Sequence, residues 1–259
     1  MQGRKASGVT FEETVKAFDF GRAVIIFQQR LPVSFWKDMT IRQQVLVYAA
    51  SSGSACDELA KKINKLKNKL IICVASGRGL IWLQSMYSKI IDDKIIILAE
   101  NGNIALIDGK LKQLFDYDAE YFTLRAKLKN EISKLPINGF EPKQIILTAN
   151  CPYKMEQVPR IINKLDKKKQ IKSMWVAGEA WDIQRKDVSK GAGIKKIIKL
   201  LGFKKENVMA IGDGPNDKEM VEMAGIGVSA DINDLKAEYH TVGKGLGGEI
   251  LVEYLLKRL

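Results

Sequence analysis

The sequence predicts an α/β fold, a doubly wound parallel sheet carrying a smaller α+β unit as an insertion. Three observations predict it. From Gln44 onward, short apolar runs rich in Val and Ile alternate with amphipathic stretches, the pattern of βαβ units. Between residues 117 and 180 that alternation lapses, and Pro136, Pro142 and a long helical stretch take its place. After residue 181 it resumes and runs to the C-terminus. The chain therefore divides into a leader at 1–43, a core assembled from 44–116 and 181–259, and an inserted unit at 117–180.

Each element has its own signal. In the leader, Thr10 followed by Glu13 has the form of a capping box, and the apolar residues behind it predict a helix over about 11–30. Pro32 ends that pattern, and Phe35 and Trp36 are aromatics in need of a packing partner. Six aromatics in the leader predict that it packs on the core as an extra helix. The core then reads as strand VLVYAA, helix DELAKKINKL, strand LIICVAS, helix IWLQSMYSKI and strand KIIILAE. NIALIDGKLKQLF predicts a hairpin turning at Asp108-Gly109, where both turn residues tolerate positive φ. The insertion reads as a helix over 119–134, strand QIILT, a helix over 154–165 and strand KSMWVAG. Helix GIKKIIKLLG, strand VMAIG, helix DKEMVEMA, strand GIGVSA and a closing helix around GEILVEYLLKRL complete the core.

Composition narrows the class. Apolar stretches such as Ala23–Phe27 fall far short of the roughly 18 to 20 residues of a membrane span, so no membrane association is expected. The N-terminus lacks an apolar run of about 7 to 15 residues before a small-residue cleavage site, which argues against secretion. Cys56, Cys73 and Cys151 are too few and too scattered for a disulfide framework or a zinc pattern, as expected of reduced thiols in the cytoplasm. The formal charge of +12 favours an anionic partner. Seven Lys/Arg in the leader and the Lys167-Lys168-Lys169 run of the insertion extend that expectation to RNA or a ribonucleoprotein, although no nucleic-acid-binding motif is present.

The chemistry-bearing segment is IGDGPNDKEM at 211–220. An apolar strand ends there in Gly212-Asp213, and Asn216 and Asp217 open a helix, so carboxylates for a hard cation stand beside amides for an anion. With VASGRG at 74–79, AENGN at 99–103 and VSKGAGIKKI at 188–197, this segment resembles the haloacid dehalogenase superfamily. The resemblance is to the group with an α+β cap, which includes archaeal phosphoglycolate phosphatases, sucrose-phosphate phosphatases and Cof-type sugar phosphatases. It spans about 44–259, implies a Rossmann-like core, and leaves the leader outside. Carried over by position, it implies a phosphate-binding hydroxyl at Ser76 with Gly77 beside it, a phosphoryl-neutralising lysine at Lys190, a further phosphate contact at Asn216 and magnesium-side acids at Asp213 and Asp217.

The family's first motif is a strand followed by Asp-x-Asp-Gly-Thr, whose first aspartate attacks phosphorus and whose second protonates the leaving group. Alignment on the strand before DELAKKINKL places Ala49 and Ser51 at those two positions, neither able to replace a carboxylate. Asp19 lacks a second aspartate two residues on, Asp57 falls on the helix, and the single histidine, His240, gives no Ser/His pairing. The expectation is therefore a catalytically inactive homologue, a binding or structural subunit for an anionic partner. It requires no cofactor, retains weak magnesium affinity at Asp213 and Asp217, and holds a small phosphate ligand at Ser76, Gly77, Lys190 and Asn216. Two alternatives stand beside it: an active magnesium-dependent phosphatase of phosphoglycolate or a sugar phosphate, and a non-catalytic sugar-phosphate sensor.

Overall fold

In the computed structural model the described residues are 24–27, 53–88, 94–176, 178–230, 233–240 and 247–257. Among the described residues the elements are, in chain order, β1 (Val24–Phe27), α1 (Gly53–Leu66), β2 (Ile71–Ala75), α2 (Leu80–Met86) and β3 (Ile95–Ala99). A hairpin of β4 (Ile104–Ile107) and β5 (Lys110–Gln113) leads to α3 (Ala119–Ile132), β6 (Gly139–Phe140), β7 (Leu147–Asn150) and α4 (Gln157–Leu165). Then come β8 (Ile171–Val176), β9 (Ala180–Arg185), α5 (Lys190–Leu200), β10 (Val208–Gly212) and α6 (Lys218–Met223). The last elements are β11 (Ile226–Ser229), β12 (Tyr239–His240) and α7 (Gly247–Leu256).

Eight strands form one sheet in the order β12-β11-β10-β1-β2-β3-β4-β5. From β12 to β3 every neighbouring pair is parallel, and β4 and β5 close the far edge as an antiparallel hairpin. Asp108 and Gly109 both have positive φ, 49° and 68°, which gives the two-residue turn its twist and matches the sequence expectation. The parallel strands are apolar along their length because helices cover both faces. In β2 the two-residue period assigns Ile72 and Val74 to the face under α1 and α7, and Cys73 and Ala75 to the face under α5 and α6.

The smaller sheet runs β6-β7-β9-β8, with every pair antiparallel. Its apolar face (Leu147, Ala149, Trp181, Ile183) packs on α3 and α4 through Tyr121, Leu128, Ile132, Val158 and Ile162. Leu80 and Leu83 of α2 and Ile97 of β3 join the same apolar cluster, so the two sheets share part of a core.

Three expectations are corrected. Val24–Phe27 lies in the middle of the large sheet, hydrogen-bonded to both β10 and β2, so these residues are neither helical nor part of an appended leader. The strand slot assigned to VLVYAA is therefore filled by β1, and the assignment of Ala49 and Ser51 to the two motif positions loses its basis. Ala49, Ser51 and the remainder of the 11–30 helix lie outside the described residues. The smaller sheet also extends past residue 180, since β9 pairs with both β7 and β8. The sequence expectation ended the insertion at 180 and named no strand over the residues of β9.

Candidate functional site

Register sets the site. Ile26 of β1 lies opposite Ala210 of β10 on one side and Cys73 of β2 on the other. Residues 212 and 75 are therefore level and two strand spacings apart, about 10 Å. β10 continues into Asp213 and β2 into Ser76, so both candidate residues leave the same C-terminal edge of parallel strands, where open α/β sheets place ligands.

Backbone bonds hold the Ser76 turn. Its N–H donates to the Leu98 carbonyl (2.9 Å) and its carbonyl accepts from the Asn101 N–H (3.0 Å). The Ser76 hydroxyl accepts from the Arg78 N–H at 3.2 Å, which leaves its proton to donate outward. A Cβ on Gly77 would lie 2.9 Å from Asn101 Oδ1 and 3.3 Å from Asp182 Oδ2, so only glycine fits without displacing these groups.

Lys190 opens α5 behind the Ser189 cap, whose hydroxyl accepts from the Ala192 N–H at 3.0 Å. Its ammonium meets Asp217 Oδ1 at 2.6 Å, and neither side chain has any exposed surface. Asp217 Oδ2 accepts from the N–H groups of Asp213 (3.1 Å) and Gly214 (3.2 Å). Both oxygens of Asp217 are thus engaged, Oδ1 by Lys190 and Oδ2 in fastening the loop that presents Asp213. A Cβ on Gly191 would come within 2.6 Å of the Glu219 backbone, so the glycine after Lys190 is what lets α5 approach α6.

The smaller sheet faces this edge with its polar side. Thr148 and Asp182 are register partners on β7 and β9, and Thr148 Oγ1 donates to Asp182 Oδ1 at 2.5 Å. Asn101, with φ 55°, donates from its amide to Asp182 Oδ2 (2.9 Å) and Gln184 Oε1 (2.8 Å). Its own Oδ1 is buried without a hydrogen-bond partner. Lys143 donates to Thr148 Oγ1 at 2.6 Å and pairs with Glu141 (3.0 Å) and Asp182 (3.5 Å). Arg78, two positions after Ser76, pairs with Glu141 and reaches Glu179 at 3.6 Å. Buried Glu100 accepts from three successive N–H groups of the smaller unit: Gln144 (2.7 Å), Ile145 (2.8 Å) and Ile146 (3.1 Å). Burying a carboxylate is costly, and three N–H donors are the compensation.

The two chain connections between the units are stapled by Arg185. It donates to both carboxylate oxygens of Asp187 (2.8 and 2.5 Å) and to the Asp116 carbonyl at 2.5 Å, and it lies 4.7 Å over the Tyr117 ring. The Arg185 guanidinium holds the Asp187 carboxyl below its ordinary range.

Of the residues expected from sequence, Ser76, Gly77, Lys190, Asp213 and Asp217 gather at one sheet edge, and Asn216 sits half-buried in the short turn before α6. Among the described residues no group of three or more His, Cys, Asp or Glu gathers as a metal cage. The donor set still suits magnesium, which binds through one or two carboxylates and keeps several waters. Asp213 at the end of β10 is the carboxylate in position to hold it, because Asp217 is fully occupied elsewhere. Sequence reasoning missed Glu100, Asn101, Asp182, Lys143 and Arg78. The AENGN segment at 99–103, one of those that carry the family resemblance, contains the first two.

Residues 112–231 match the family described as haloacid dehalogenase-like hydrolase. A phosphoglycolate phosphatase from Methanopyrus kandleri is 28% identical over 169 residues, covering 63% of this chain and 70% of that protein. A phosphoglycolate phosphatase from Saccharolobus solfataricus is 29% identical, covering 74% of this chain and 82% of its own. A 5-amino-6-(5-phospho-D-ribitylamino)uracil phosphatase from Bacillus subtilis is 25% identical over 71% of this chain and 82% of its own. Among solved structures, a haloacid dehalogenase-like hydrolase from Bacteroides thetaiotaomicron superposes with a TM-score of 0.63 at 13% identity, covering 90% of this chain and 98% of that one.

Proposed function

Because the chain belongs to the haloacid dehalogenase superfamily, we propose that it acts on small phosphate monoesters as a magnesium-dependent phosphatase. One observation carries this reading: Ser76, Lys190 and Asp213 are brought to a single edge of the parallel sheet by β2, α5 and β10, with the smaller unit's polar face set against it. Neither the fold nor the named relatives support the expected non-catalytic subunit with an RNA partner.

The division of labour follows from charge. Phosphoryl transfer needs the charge spread over three oxygens to be neutralised in place. The Ser76 hydroxyl donates to one oxygen, Lys190 contributes its positive charge from behind the edge, and Asp213 presents an oxygen ligand. Magnesium, when bound there, would neutralise phosphoryl charge. The smaller unit excludes water from the leaving-group side and sets which esters fit.

A second reading is favoured by one feature of the sequence. β1 is followed directly by Gln28 and Gln29, and no Asp or Glu occurs between Asp19 and Asp38. The family's nucleophilic carboxylate is thus absent from the position after the central strand, and in this reading the site binds phosphate monoesters without turning them over. Phosphate release from a panel of monoesters with magnesium, compared with Asp213→Asn, separates the two. Release that Asp213→Asn abolishes supports the phosphatase. Background release together with magnesium-dependent binding of the same esters supports the second reading, and neither release nor binding refutes both.

A further inference from the structure

We propose that two copies of this chain form a symmetric dimer in which their β8 strands pair antiparallel and join the two smaller sheets into one. Edge strands present unpaired N–H and C=O groups, and folded proteins keep most of them short or charged so that nothing adds to them. Three of the four sheet edges among the described residues follow that rule. β6 and β12 have two residues each, and β5 carries Lys110 and Lys112. β8 does not follow it. It runs for six residues, Ile171-Lys172-Ser173-Met174-Trp175-Val176, stands last in its sheet, and is only half-buried beyond Ile171. Its single charge, Lys172, is turned toward Glu219 at 4.0 Å.

Register fixes which backbone groups of β8 face outward. The Lys186 N–H donates to the Gln170 carbonyl at 2.8 Å, and bonded pairs recur at every second residue, so Lys172, Met174 and Val176 bond to β9. Ile171, Ser173 and Trp175 therefore turn their N–H and C=O groups to the open edge. Asp166 marks the same direction, because its Oδ2 accepts from the Ile171 N–H at 2.7 Å and closes that end. Left open among the described residues are both backbone groups of Ser173 and of Trp175. This set is self-complementary, which is what makes a second copy the occupant. A two-fold axis at Met174 sets Ser173 of each copy against Trp175 of the other, and every one of these N–H groups meets a carbonyl. An axis at Ser173 would need the Ile171 N–H, which Asp166 already holds. Side chains agree with the first register. Ile171 and Trp175 join the apolar cluster with α3 and α4, so Ser173 meets Trp175 on that face. On the other face Met174 meets Met174 and Lys172 meets Val176, with no like charges directly opposed.

The test is sedimentation velocity over a wide range of protein concentration, on wild type, Ser173→Pro and Met174→Lys, with circular dichroism to establish that each variant is folded. Proline at 173 removes an outward N–H alone, so the bonds from β8 to β9 survive while those between copies are lost. Lysine at 174 sets two like charges against each other on the axis, a repulsion that salt screens. The expected result is a wild-type dimer that each variant weakens by about tenfold or more, with Met174→Lys regaining affinity at high salt. Should Ser173→Pro fail to fold, Met174→Lys and its salt response decide the matter. A wild type that stays monomeric overturns the inference, and so does a dimer that the folded variants leave unchanged.

Discussion

Replacing Lys190 by methionine tests the buried pair on which the edge is built. The substitution keeps most of the side chain's bulk, so the cost is electrostatic rather than a cavity. It leaves the Asp217 carboxyl with no exposed surface, and Oδ1 loses its 2.6 Å partner while Oδ2 keeps the two N–H donors from Asp213 and Gly214. Breaking a buried pair from one side costs about 3–5 kcal/mol, and the surviving N–H bonds place this case near the lower figure. At roughly 2–4 °C per kcal/mol for a domain of this size, Tm should fall by about 6–12 °C. The assay is urea unfolding followed by tryptophan fluorescence and by far-ultraviolet circular dichroism, whose agreement establishes a two-state transition. Lys190→Met, Asp217→Asn and the double variant complete a cycle, and the double variant should lose clearly less than the two singles together. A loss under about 1 kcal/mol in Lys190→Met, or strict additivity in the cycle, would refute the claim that the pair is coupled and structural.

Three more outcomes follow from the same geometry. Glu100→Gln leaves one acceptor oxygen for three N–H groups, and thermal unfolding should show a loss of about 2 kcal/mol that Gly109→Ala at the exposed hairpin does not share in mechanism. Gly193→Ala would place a Cβ 2.7 Å from the Gly102 carbonyl oxygen and 2.8 Å from its Cα, both backbone atoms that cannot swing away, so denaturant titration should show a loss of about 1–3 kcal/mol. Burial pushes the Cys73 thiol up to about 12, so its reactive thiolate is scarce at pH 8. Cys73 should then resist alkylation in the native protein at pH 8 and react at once in denaturant, as read by mass spectrometry; rapid native labelling would contradict its placement inside β2.

The parts of the fold that were legible in the sequence are those in which local pattern and tertiary environment agree. β2, β3, β10 and β11 are short apolar runs between amphipathic helices, and a parallel sheet covered on both faces demands that pattern. The Asp108-Gly109 hairpin was legible because its turn chemistry is local. β1 was not, although Val24-Ile25-Ile26-Phe27 has the composition of a buried strand. A capping-box pattern upstream outweighed it, and strand pairing with residues 71–74 and 208–210 is a long-range fact that no local window contains. The assignment of the first motif to Ala49 and Ser51 rested on the same strand placement, and both residues lie outside the described residues. At the site, residues tied to backbone turns were found, whereas Asp182, Lys143 and Glu141 acquire meaning only when the smaller sheet is set against the core.

A sheet edge that binds phosphate through Ser76 and a metal through Asp213 should show both dependences in one experiment: titration of inorganic phosphate with and without magnesium into wild type, Ser76→Ala and Asp213→Asn. Magnesium should strengthen phosphate binding in wild type, Asp213→Asn should remove this magnesium dependence, and Ser76→Ala should weaken binding in both conditions. Phosphate binding that ignores both substitutions, or is absent from the folded wild-type protein, would contradict it.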